Sequence, residues 1–437
     1  MSLLKYSNRA LNPAINTLYL DGVTADVRFI FKTKNDQFDT VPAHKPLLMA
    51  VSKVFRAMFN GSWKEKDCVQ IVDTTAVAFK DFLQFFYFTE VAVKMSTVAA
   101  VMNLGQKYFV ADCVSACSRF LSDNLTNDNA CWVYALAVIC NRDELKKLCE
   151  VTIGINTSTV LKTSSFIRSD QKIMARILKL DSLTCVETEL FEAALAWVKA
   201  TAKQDQLNSD VILAHLGDSF YDIRYELMPM QEFTTIFSSY ETLFTADQRR
   251  SIIQSIASKE FETKTEVNIG RESAWYKLPF IICERNSNIS NQPYEIADME
   301  VETFSTNKPL LLRGIICAEI YYFDDYFSPI MDDIPGQIKI FEFRATTNDA
   351  KVGLRTIYED DDIELEYDDN EYNLWLNKPV IIKPGKKYQI QLTLDMEDEF
   401  STNIKMKGHQ VASNGFVITF HTAQERGLIS GLKFNPY

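Results

Sequence analysis

The chain has 437 residues, a net charge of −12, and 47% apolar against 24% charged residues. That composition is globular rather than disordered, and the length calls for two or three domains rather than one core. The acidic balance argues against nucleic acid and anionic lipid as partners. The longest apolar run, Ala130 to Cys140, is eleven residues, against the roughly 20 that a membrane-spanning helix needs.

The first residues, M-S-L-L-K-Y-S-N-R, hold no apolar core followed by a small-residue cleavage site. No secretory signal is expected, and the expected compartment is the cytoplasm or the nucleus. Nine cysteines at irregular spacings fit a reducing compartment better than a disulfide frame. Cys113 and Cys117 lie four apart in a predicted helix, but no histidine falls between His44 and His215 to complete a zinc set. They read as small buried hydrophobes, and no metal or cofactor is expected.

Val27, Phe29 and Phe31 alternate with Arg28 and Ile30, which predicts a strand. After Pro42, Leu47, Leu48, Val51, Val54, Phe55, Met58 and Phe59 recur at helical spacing, with Gly61 as the stop. Val69 and Ile71 suit a short strand. Phe79, Phe82, Leu83, Phe86 and Tyr87 suit a buried helix face. Val98 to Leu121 predicts the module's last helices, with Val101, Leu104, Tyr108 and Phe109 at core spacing. The sum is an α/β module without a phosphate loop.

Five ordered blocks carry a resemblance: A-D-V-R-F-I-F from Ala25, the run from Val41 to Phe59, W-K-E from Trp63, V-Q-I-V-D from Val69, and A-F-K-D-F-L-Q-F-F-Y-F from Ala78. Together they resemble a BTB (POZ) domain over residues 1–123, including an N-terminal arm. The resemblance implies a homodimer through this module, with Asn16 to Asp26 as the strand-and-arm segment that dimers exchange. It implies a cullin contact of a hydrophobic residue, any residue, then glutamate, here Trp63, Lys64 and Glu65. Tyr108 is a further candidate contact whose alternative is a core position. Asp26, His44 and Lys45 are candidates for a charged dimer pocket. His44 has a packing and hydrogen-bonding role as its alternative, and Asp26 the orienting of backbone amides.

Residues 124–264 read as helical throughout. Asp128-Asn129-Ala130-Cys131 opens a helix with a capping residue. Arg142 to Cys149 begins the next, and Leu190, Ala194, Trp197 and Val198 form one apolar stripe. The order, through Ile223-Arg224-Tyr225-Glu226-Leu227-Met228, resembles a BACK domain, with Tyr225 standing where an apolar residue is usual.

After a linker at 265–288, residues 289–437 switch to strand periodicity. Tyr388 to Leu394 alternates throughout, and Gln337 to Phe343 and Phe416 to His421 are similar. Pro335-Gly336 and Pro384-Gly385 read as turns. Many short strands with such punctuation predict an antiparallel β-sandwich or barrel. Pro309 to Ile315 and Lys378 to Tyr388 resemble a PHR domain, although its glycine-rich stretches are mostly missing. Residues 285–437 hold 15 Lys and Arg against 25 Asp and Glu, a balance of −10. Two loops are candidates for capturing a partner with a basic segment: Tyr321 to Ile334, with Tyr322, Asp324, Asp325 and Tyr326, and Tyr358 to Glu371, with Asp360, Asp361 and Asp362. The plain alternative for the acidic run is a solvated face.

In the order BTB, BACK, PHR the chain resembles the BTB proteins that serve as substrate adaptors of cullin-3 RING ubiquitin ligases. That implies binding of the cullin-3 N-terminal region by the BTB domain and capture of a protein substrate by the C-terminal domain. The alternative is a scaffold for a transcriptional or cytoskeletal partner without cullin, though the zinc-finger spacing of DNA-binding BTB repressors is absent. Four histidines without a shared cluster and no Gly-rich loop predict no active site of its own.

Overall fold

The alternation at Val27 forms strand β1 (Val27–Lys32) in the computed structural model of the chain, with Val27, Phe29 and Phe31 buried. The structure describes residues 11–33, 35, 37–60, 67–262, 280–296, 299–322, 330, 332–345, 352–368, 371–395, 400–407, 410–413, 415–421 and 427–436. They fall in two compact units, Met1–Asn268 and Ile269–Tyr437.

In the first unit, helix α1 (Leu11–Thr17) is followed by turns up to β1. The segment from Asn16 to Asp26, expected to supply a strand, is therefore helix end and turn: Asp21 accepts from the Val23 amide and Thr24 hydroxyl, which closes a tight turn instead. β1 pairs antiparallel with β2 (Phe38–Ala43) and parallel with β3 (Cys68–Ile71). A parallel pair needs a long crossover, and α2 (Lys45–Val51) and α3 (Lys53–Asn60) lie in it. The periodic run from Leu47 to Phe59 is thus two helices. Ser52 is extended between them (φ −111°, ψ 122°); its hydroxyl donates to the Tyr108 carbonyl at 2.6 Å and accepts from the Phe55 amide at 3.2 Å.

Helix α4 (Ala76–Tyr87) is capped by Thr75, whose hydroxyl accepts from the Ala78 amide. The helices expected over Val98 to Leu121 are α5 (Val98–Lys107) and α6 (Ala111–Asp123). The core between them is aromatic. Phe55 stacks on Tyr108 with centroids 4.3 Å apart, Phe29 meets Phe79 at 4.6 Å, and Phe82 meets Tyr108 at 5.7 Å.

Helices continue as α7 (Ala130–Ile139), α8 (Asp143–Ile155), α9 (Thr157–Leu161), α10 (Ser164–Ile167), α11 (Gln171–Leu178), α12 (Glu187–Ala202), α13 (Ser209–Leu216), α14 (Met230–Ser239) and α15 (Ala246–Glu262). Asn129 precedes α7, but its side chain makes no cap bond to the helix; it accepts from the Thr126 amide at 2.9 Å and holds the preceding turn. Leu190, Ala194, Trp197 and Val198 are all buried on α12, as their spacing predicts. Tyr225 is also buried, its ring among Phe191, Phe220, Phe233 and Phe244.

The second unit comprises β4 (Ile281–Glu284), β5 (Asn286–Glu295), β6 (Met299–Thr306), β7 (Leu310–Cys317), β8 (Tyr321–Tyr322), β9 (Ile334–Ala345), β10 (Val352–Asp368), β11 (Glu371–Ile382), β12 (Lys387–Leu394), β13 (Phe400–Lys407), β14 (Gln410–Ser413), β15 (Phe416–Phe420) and β16 (Ile429–Pro436). Ten of these form one antiparallel sheet in the order β14-β15-β6-β12-β9-β10-β11-β7-β16-β4, and β5-β13-β8 form a small second one. The outer strands β14 and β4 approach within 8 Å between Cα atoms, so the large sheet curls almost closed around an Ile- and Leu-rich core.

Strand pairing begins at Ile281, inside the stretch read as linker, because Ile281 and Cys283 face the core while Ile282 and Glu284 face out. Four residues are too short a run for periodicity to flag. Pro335-Gly336 is a strand start rather than a turn. A Cβ on Gly336 would stand 2.4 Å from the Thr393 carbonyl oxygen, so the glycine serves close strand approach. Pro384-Gly385 is a turn, with Gly385 at φ +74°. Tyr358 to Asp368 lies on β10, so the acidic run is strand rather than loop.

Candidate functional site

The start of α2 gathers the three candidate pocket residues. Asp26 Oδ1 accepts from the Lys45 amide at 2.7 Å, which places a carboxylate at the helix N-terminus, where free amides and the helix dipole favour it. The Lys45 ammonium turns to Asp67 Oδ1 at 3.1 Å. Asp26 and Lys45 therefore meet through the backbone, not as an ion pair.

His44 is 8% exposed. Its amide donates to the Tyr87 hydroxyl at 3.0 Å, its Nδ1 faces the same oxygen at 2.9 Å, and its Nε2 faces Thr24 Oγ1 at 2.9 Å. Thr24 spends its proton on Asp21 Oδ2 at 2.5 Å. Nε2 is thus the ring donor, and Nδ1 accepts from Tyr87. Burial pushes the Tyr87 phenol up to about 12, and the Thr24 hydroxyl holds the Asp21 carboxyl below its ordinary value. The arrangement fixes the position of the imidazole against α2 and the Tyr87 hydroxyl.

Trp63, Lys64 and Glu65 lie outside the described residues, between the end of α3 at Asn60 and the start of β3 at Cys68. Tyr108 is 1% exposed, its ring stacked on Phe55. It is a core residue and not a contact; a lysine-tyrosine pair at a helix end does not reveal which side the ring turns to.

Of the second unit's candidates, Asp324, Asp325 and Tyr326 lie outside the described residues, and Tyr322 pairs with Phe400 in the small sheet. Asp360 is engaged internally: its carboxylate accepts from Tyr358 Oη at 3.0 Å, Asn377 Nδ2 at 2.6 Å and the Asp362 amide at 3.3 Å. It holds a bulge where the β9–β10 register shifts between Asp360 and Ile363. Asp361 and Asp362 stay exposed. Among the described residues, no group of three or more His, Cys, Asp or Glu is placed to hold a metal ion, and no helix is long and apolar enough to cross a membrane.

One face of the large sheet escaped the sequence reading. Trp375 is 39% exposed, with the Phe280 ring 5.2 Å away and Lys433 Nζ 4.7 Å from its centroid. The sign in the sequence was an outward Trp between the inward Leu374 and Leu376.

Comparison with known proteins places the first unit. Residues 15–125 match the BTB/POZ domain profile, and residues 130–238 match the BACK profile, "BTB And C-terminal Kelch". Over 219 residues, 49% of this chain, the sequence is 29% identical to human BTB/POZ domain-containing protein 3, covering 42% of that protein. It is 31% identical over 219 residues to BTB/POZ domain-containing protein 6-B of Danio rerio, covering 49% of this chain and 45% of that protein. The match spans less than half the length of these curated relatives. A solved BTB domain of zebrafish PATZ1 aligns at 18% identity with 28% of this chain and 99% of its own, at a TM-score of 0.24.

Proposed function

From a chain that carries a BTB/POZ domain followed by a BACK domain, we propose a dimeric substrate-recognition adaptor of a cullin-3 RING ubiquitin ligase. The serial pair of domains is the observation that carries this reading. The first unit dimerises through residues 1–123 and binds the N-terminal region of cullin-3. The second, PHR-like unit captures the protein to be ubiquitinated, and the chain supplies no active site of its own. It acts in the cytoplasm or nucleus, with no nucleic acid or membrane as partner.

Trp63-Lys64-Glu65 supports the cullin role by its place in the chain, directly after the α2–α3 hairpin. A tryptophan supplies a large anchor, and the nearby glutamate a charged partner for a donor on the docking helix. Calorimetry of the full chain with the N-terminal region of cullin-3 tests it. A Trp63→Ala, Glu65→Ala double variant should lose about 2 kcal/mol or more, roughly 30-fold in Kd. Equal binding by the folded variant defeats the contact, and no binding by the parent chain leaves the cullin-free scaffold. Light scattering of the full chain should read twice its 50.0 kDa; a monomer at micromolar concentration would end the dimer.

A further inference from the structure

The outward Trp375 belongs to a row that crosses four strands: Ile282 on β4, Lys433 on β16, Gly314 on β7 and Trp375 on β11. A Cβ on Gly314 would stand 2.8 Å from the Leu374 carbonyl oxygen and 3.3 Å from the Trp375 ring. The indole therefore lies against bare backbone. With Phe280 and Lys433 beside it, the ring is held from three sides and still 39% exposed, next to Phe280 at 39% and Ile282 at 47%. An exposed aromatic that is already ordered loses little entropy on binding.

The neighbouring row is Glu284, Gly431, Ile316, Asn373 and Glu366, and beyond it Asp368 stands directly opposite Glu371. Alternation along β4, β10 and β11 puts Glu284, Glu366, Asp368 and Glu371 on the same face as Trp375. Directly opposed like charges on a sheet repel. Burial, then Glu284, raises the Glu371 carboxyl, and Asp368 adds to it; Lys433 and Asn373 offset only part. Four carboxylates border three half-exposed apolar side chains, with Lys433 drawn in to Asn373 and the indole.

We propose that this face docks a segment of a partner protein in which an apolar side chain, seated on Trp375, Phe280 and Ile282, is flanked by Lys or Arg. Charge complementarity selects that occupant: a cation beside the apolar anchor relieves the repulsion among Glu284, Glu371 and Asp368, and an acidic segment would deepen it. The proposal rests on the reading of the second unit as the capturing one, and it moves capture from the acidic loops to a sheet face.

A phage-displayed random peptide library selected on the immobilised full chain tests it. Enriched peptides should place an apolar or aromatic residue beside Lys or Arg. A synthetic peptide of that pattern should bind at least about tenfold more weakly to Trp375→Ala, and more weakly to the parent chain as salt rises. Ile282→Lys keeps the indole and sets a repelling cation beside it; it should lose binding similarly. Peptides without basic residues, no enrichment, or equal binding to both variants overturns the proposal, as does a second copy of the chain occupying the face, read as self-association that Trp375→Ala abolishes. Cullin-3 binding is measured alongside. If it persists while peptide binding ignores both variants, this docking face fails and the adaptor reading stands. If the parent chain binds the peptides but not cullin-3, the adaptor reading fails alone.

Discussion

The two units keep their polar groups by different means. In the first, the centre of the BTB domain is made of rings, and the buried His44 is held between the Thr24 and Tyr87 hydroxyls. In the second, the core is aliphatic and encloses a full ion pair: Arg285 and Glu302 meet at 2.8 Å with side chains 3% and 7% exposed, and the guanidinium lies 5.1 Å from the Phe420 ring. Helices satisfy their own backbones, so side chains are free to pack. A curling sheet must bury what its strands carry past the closure, and here that includes a charge. Losing a ring leaves a cavity, and losing one partner of a buried ion pair leaves an uncompensated charge, so single substitutions test the two units by different means.

The largest effect is expected at Phe55, which touches Phe29, Phe59, Phe86 and Tyr108. Phe55→Ala should cost about 4 kcal/mol of first-unit stability, read as the loss of helical circular dichroism in a denaturant titration. A cost below about 1 kcal/mol, less than even Leu→Ala typically removes from a core, would show that the ring cluster is not what holds that unit.

Next is Glu302→Leu, which strands the Arg285 charge in the core. It should cost about 3 kcal/mol, and Arg285→Met with Glu302→Leu should restore most of that, because a buried pair stabilises little against an apolar replacement. A double variant no better than the single would mean that the residues contribute independently and that the contrast between the units is mistaken.

The smallest effect is a response of the first unit to pH. The Tyr87 phenol, at about 12 in the folded chain against an ordinary 10.0, favours its neutral form there. Its stabilisation is complete below pH 10 and drains away as pH rises from 10 to 12. The melting temperature of the first unit should therefore fall across that window, and less steeply in Tyr87→Phe. Identical slopes would remove Tyr87 from the account.

Much of this was legible in the chain. The alternation at Val27, the stripe on α12 and the period of β12 each become what their spacing predicts, because one buried face imposes its period on any strand or helix. Asp360 was not legible: as one acid among nine it reads as solvated charge, and only the bulge shows it bonded inward to Tyr358 and Asn377. Nor was Trp375, whose neighbours Phe280, Gly314 and Lys433 lie 95, 61 and 58 positions away in the chain.

The sequence by itself determined most of the elements, their order and the split between a mixed α/β and helical half and a strand half, because hydrophobic period and turn residues act within a few positions. Only the tertiary structure decided that Tyr108 faces the core, that Pro335-Gly336 lies within the sheet, that the acidic run is a strand, and that Trp375 shares a face with Glu284 and Glu371. Each of those depends on which distant strand or helix comes to lie alongside, and a local pattern does not encode its neighbour across the sheet.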